Sequence, residues 1–92
     1  MTENGLSKKI DDISVLLYQN QEKEAMEEMP ALIREIQEMA QRIRKKCQDV
    51  PEAFVVSTIR ELVESYKMRD MLAMADCLQQ KALLMVELEE NI

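Results

Sequence analysis

From Met26 to Cys47, apolar residues recur at alternating intervals of three and four, through Met29, Ile33, Ile36, Ala40 and Ile43, without interruption. Side chains spaced this way line one face of an α-helix, and no strand can keep that pattern on one side. Leu32 and Met39 flank the stripe, so the apolar face is wider than a strict coiled-coil seam and needs more than one neighbour to cover it.

Three further stretches carry the same period. Leu6, Ile10, Ile13 and Leu17, widened by Leu16, predict a helix over residues 4–18 that starts at Asn4. The six polar residues Gln19–Glu24 interrupt it. The next stripe resumes two residues out of register, which places a turn at Gln19–Gln21 and a second helix over 21–47. Pro30 falls inside that helix. It lacks an N–H and crowds the carbonyl of residue 26, so a kink near 30 is expected, the in-phase Met26 and Met29 arguing that the helix begins before it. Arg42, Arg44, Lys45 and Lys46 suit the negative end of its dipole.

Pro51 and Glu52 open a third helix over 51–66, with Val55, Ile59, Leu62 and Tyr66 inward and Phe54, Val56 and Val63 beside them. The last stripe, Met71, Ala75, Leu78, Ala82 and Met85, is again two residues out of register. A break at Lys67–Arg69 with Asp70 as N-cap accounts for the slip and gives a fourth helix over 70–90.

With a single glycine and two prolines in 92 residues, the chain lacks the turn-formers that a sheet or a loop-rich fold needs. The expected architecture is one all-α domain spanning 1–92, an antiparallel up-down four-helix bundle with short loops. A chain of this size buries only about 60–65% of its unfolded surface, so the core is thin. In this topology the second and fourth helices end at the same pole, bringing Arg42–Lys46 beside Glu87, Glu89 and Glu90.

The same residues exclude much chemistry. There is no histidine, which removes the commonest general base, most zinc sites and the Glu-x-x-His di-iron arrangement. One glycine cannot build a phosphate-binding loop. No inward position of the second helix carries an acid, so no buried carboxylate pair is in prospect there. Cys47 closes an apolar stripe and Cys77 follows Asp76, so both read as small packing residues rather than redox or metal thiols. No catalytic residue, metal site or cofactor is expected.

A net charge of −6 disfavours nucleic acid and anionic membranes as partners, and three aromatic residues offer little to stack bases on. The longest apolar run, Ala82–Val86, is too short for a membrane span, residues 1–12 do not read as a signal peptide, and unpaired cysteines suit a reducing compartment. A cytoplasmic location is expected.

Eight methionines stand out. Met is flexible and polarizable, so it serves irregular cores and adaptable contact surfaces alike. Met71 and Met85 lie on the buried stripe, whereas Met68 and Met74 lie about a quarter turn off it, which makes them the candidate partner-binding residues.

Leu16-Leu17-Tyr18-Gln19-Asn20, and Asp70 with Ala75, Asp76 and Leu78, resemble stretches of small helical-bundle proteins of Firmicutes, similar in style to flagellar export chaperones of the FliS and FliT kind. The likeness covers about a third of the chain and departs from the pattern at Lys81, where an acid usually stands. It implies a bundle that binds a protein chain and transfers no catalytic residue. The expected function is therefore a non-enzymatic interaction module, adaptor or chaperone-like, holding a partner helix. The alternative is a structural protein whose wide stripes are completed in a homodimer.

Overall fold

The computed structural model describes residues 5–46 and 49–90. Among these, four helices and no strand are found. They are α1 (Gly5–Tyr18), α2 (Glu22–Lys46), α3 (Glu52–Lys67) and a fourth helix in three stretches. Those stretches are α4 (Met71–Cys77), a π-helical turn (Leu78–Ala82) and α5 (Leu83–Glu90). The expected helix start at Asn4 and the stripe residue Cys47 lie outside the described residues.

At 1.5 Å per residue the 25 residues of α2 span about 37 Å, the full 36 Å length of the molecule. The other helices pack along it in the expected order. α1 meets α2 and α4, α2 meets α3, and α3 meets α4, so α1 and α3 stand diagonally. Cross-links fix the directions. Arg42 engages Glu89, its Nη2 donating to Oε1 at 3.1 Å, which sets the C-terminal ends of α2 and α5 at one pole. Arg69 engages Glu22 at the other pole, where both three-residue turns lie.

Those two turns share one backbone design. After α1, Gln21 N–H donates to Leu16 O and Asn20 N–H to Leu17 O; after α3, Asp70 N–H donates to Ser65 O and Arg69 N–H to Tyr66 O. Each pair of bonds satisfies carbonyls that a helix end leaves open, and each requires one left-handed residue. Asn20 (φ 60°) and Arg69 (φ 55°) take that role, which glycine usually fills. Asn tolerates it. Arg69 does so at a cost of about 1–2 kcal/mol, offset in part by its contact with Glu22. The chain then turns straight into α4, whose first turn is capped by Asp70, Oδ1 accepting from Ala73 N–H at 3.1 Å.

α2 passes through Pro30 as one helix, with Met29 buried and Met26 half-buried on the N-terminal side of the proline. The missing N–H leaves the Met26 carbonyl without its usual intrahelical donor. Pro51 sits one place before α3, at the N-cap, where its carbonyl accepts from Phe54 and Val55.

The core is built from the expected stripes, with Ile10, Leu17, Met29, Leu32, Ile36, Met39, Ile43, Leu62, Leu78 and Met85 fully buried. It also holds Ser14, Thr58 and Ser65. Each hydroxyl donates to the carbonyl one turn back in its own helix, Ser14 to Ile10 O at 2.7 Å, Thr58 to Phe54 O at 2.8 Å and Ser65 to Glu61 O at 2.7 Å. Burial thereby leaves no hydroxyl unsatisfied.

The fourth helix is re-phased midway. Leu83 N–H donates to Leu78 O, five residues back, so one turn holds an extra residue. On the near side of that turn α4 faces α1 and α3; beyond it α5 faces chiefly α2.

Candidate protein-docking surface

The two methionines singled out as partner contacts part company. Met68 is 79% exposed, beside the α3–α4 turn. Met74 is 0% exposed, and its expected surface position is corrected: α4 packs on both α1 and α3, so its buried face is wider than one seam and takes in Met74, Ala75, Cys77 and Leu78.

Three exposed apolar residues join Met68 at the α1/α4 side of the molecule. Asp11, Val15 and Tyr18 form one ridge of α1, at spacings of four and three. Leu72, Asp76 and Gln79 form the facing ridge of the fourth helix. Two hydrogen bonds hold the ridges together: Tyr18 Oη donates to Asp76 Oδ1 at 3.0 Å and Gln79 Nε2 to Asp11 Oδ1 at 3.1 Å. Between and beside these bridges stand Val15 and Tyr18, each 50% exposed, and Leu72, 62% exposed. The bond to Asp76 raises the Tyr18 pKa above the ordinary value, so the phenol stays a neutral donor.

The seam thus carries unpaired apolar side chains, and Met68 stands exposed in the turn that leads into the helix of Leu72. Charges of both signs accompany it, Asp76 within the seam and Lys67, Arg69 and Asp70 next to Met68 in the chain. The residues missed from the sequence, Val15, Tyr18 and Leu72, had a readable signal, for each lies next to a stripe residue but off the stripe.

A hollow of about 290 Å³ lies between α1 and α2, floored by Ile13, Ala31 and Leu32 and walled by Asp12, Glu27, Glu28, Glu35 and Lys9. Lys9 pairs with Glu35 at 2.8 Å and Lys8 with Asp12 at 3.3 Å. Among the described residues no group of three His, Cys, Asp or Glu side chains is placed to hold a metal ion. Cys77 is buried, its Sγ 3.6 Å from Thr58 O, and desolvation, then Glu61, pushes its thiol up to about 11, against the opposing pull of Lys81. That thiol is a poor nucleophile at neutral pH. No helix of the described residues is long and apolar enough to cross a membrane.

Comparison with protein families, with curated proteins and with solved structures gave no match, so the surface is interpreted from its geometry alone.

Proposed function

We propose that this chain is a non-enzymatic protein-interaction module, adaptor or chaperone-like, that seats an amphipathic helix of a partner protein on the surface formed by Val15, Tyr18, Met68 and Leu72. The observation behind this reading is the clustering of exposed apolar side chains along one hydrogen-bonded helix seam. Apolar residues scattered singly over a surface need no explanation, whereas a group on one rigid face is what helix-in-groove recognition uses. Met68 adds an adaptable anchor and Tyr18 an amphipathic one.

Self-association is the second reading. Its support is the mixed charge around the same surface, which would let the surface of one copy complement that of another across a two-fold axis.

Affinity capture of the tagged chain from its own cells, beside the Met68→Asp/Leu72→Asp variant, tests the proposal. A stoichiometric partner retained by the wild type and lost by the variant supports it. Sedimentation showing a concentration-dependent dimer, with no partner recovered, would transfer the surface to the second reading. Retention of the partner by the variant would refute this location.

A further inference from the structure

We propose that the groove between α2 and α3 is a second docking surface, which takes an acidic amphipathic helix from a partner protein. It lies on the side of the bundle away from the α1/α4 seam, since α1 packs between α2 and α4 while α3 closes the ring between the same two. The hollow there measures about 500 Å³. Ala40 and Val55 are its buried floor, Ile59 is half-buried and Val56 is exposed.

Val56, Ile59 and the half-buried Val63 follow one another on α3 at spacings of three and four. Seven residues of helix cover about 10 Å, two turns. A partner helix laid along them would present its own anchors over the same two turns.

Charge complementarity selects the occupant. The rim consists of Gln37, Gln41 and Arg44 from α2 and Arg60 from α3, with no carboxylate in the lining. Elsewhere along α2 the balance is reversed, for the hollow against α1 is walled by Asp12, Glu27, Glu28 and Glu35 beside Lys9. Arg44 spends one nitrogen on Glu52 at 3.0 Å, and Arg60 has no ion-pair or hydrogen-bond partner among the described residues. A guanidinium fork suits a carboxylate better than any other side-chain group. Repulsion from the net −6 chain is screened beyond about 8 Å at physiological salt, so the local rim decides which helix is accepted. With two faces of different rim chemistry, the module would join two chains.

The test uses the 92-residue chain and two fluorescein-labelled synthetic amphipathic helices, one of Leu, Ala and Glu and one with Lys in place of Glu, read by fluorescence anisotropy. The Glu helix should bind at least about tenfold tighter than the Lys helix, less so as salt is raised. Arg44→Glu/Arg60→Glu should reverse that preference, and Arg44→Lys/Arg60→Lys should keep its sign. Leu72→Asp, on the other face, should leave it unchanged, which separates this surface from the α1/α4 seam. Both arginines are exposed, so circular dichroism should show every variant folded. Equal or tighter binding of the Lys helix would overturn the proposal, as would loss of binding in Leu72→Asp. A chain dimer dissolved by Arg60→Glu would assign the groove to a second copy instead and overturn it too.

Discussion

Met68 and Met74 come from one run of methionines three residues apart, yet truncating them should have opposite consequences. Met74→Ala removes three heavy atoms from a side chain with no exposed surface. At about 0.8 kcal/mol per methylene equivalent the lost transfer energy is about 2.4 kcal/mol. The cavity left between α1, α3 and α4 raises the cost into the range of about 3–5 kcal/mol. A domain of this size holds on the order of 5–14 kcal/mol in total. The variant should therefore lose about a fifth of its stability or more, with a urea midpoint shifted well down at unchanged slope. Met68→Ala, at 79% exposure, should shift the midpoint by no more than about 0.5 kcal/mol equivalent. Urea titrations followed by circular dichroism at 222 nm, the usual helical band, measure both. A cost below about 1 kcal/mol for Met74→Ala, or one above it for Met68→Ala, would refute the packing of α4 between α1 and α3.

Arg69→Gly should be more stable than Arg69→Ala by about 1 kcal/mol, because the left-handed backbone reverses the usual preference for alanine over glycine; equal midpoints would show that the turn is not strained. Pro30→Ala returns an N–H donor to the Met26 carbonyl inside a continuous helix and should stabilise by about 1–3 kcal/mol, so a lowered melting temperature would show that the helix needs its proline. In a Cys47→Ser background, Cys77 should resist thiol reagents at about pH 8 until urea unfolds the chain. Its thiol titrates at about 11 in the folded chain against 9.0 for an unperturbed cysteine, so the unfolded chain releases that proton first. Stability should therefore fall as pH rises through the window from 9.0 to about 11. A Cys77→Ala variant with the same alkaline slope would remove the thiol as its cause.

Helix number, turn positions and most of the core were legible because burial in a bundle imposes one period on each helix, and the register slips after Tyr18 and before Met71 mark where that period restarts. Asp70 was legible as a cap because a carboxylate three residues ahead of an open N–H leaves little else for it to do. The salt link of Arg42 to Glu89 followed from topology, since up-down order fixes which ends are neighbours. Met74 was misplaced because a single stripe describes a helix with one partner, and α4 has two. The turn at Arg69 carried no glycine to announce it, and its left-handed residue is set by the backbone bonds around it rather than by its side chain. Ser14, Thr58 and Ser65 escaped notice because a hydroxyl bonded to its own helix costs little to bury, so polarity alone is a poor guide to its depth.

The π-helical turn has a consequence for how the chain tolerates change in length. A residue added to an α-helix turns everything beyond it by about 100°, but the π-turn takes up one extra residue between Leu78 and Leu83 without passing that rotation along the rod. The front half is timed to mesh with α1 and α3, and the rear half, Met85 and Val86 foremost, to mesh with α2. Deleting one residue from Gln79 to Lys81 would close the rod into an unbroken α-helix without cutting it. The rear teeth would keep their phase, because the π-turn already seats Leu83 where an unbroken α-helix would place the fourth residue after Leu78, and Glu89 would stay on Arg42 at the far pole. Of all the helices this one would be the most forgiving of a single-codon deletion at that turn, and its hydrogen-bond ladder would come out more regular than before.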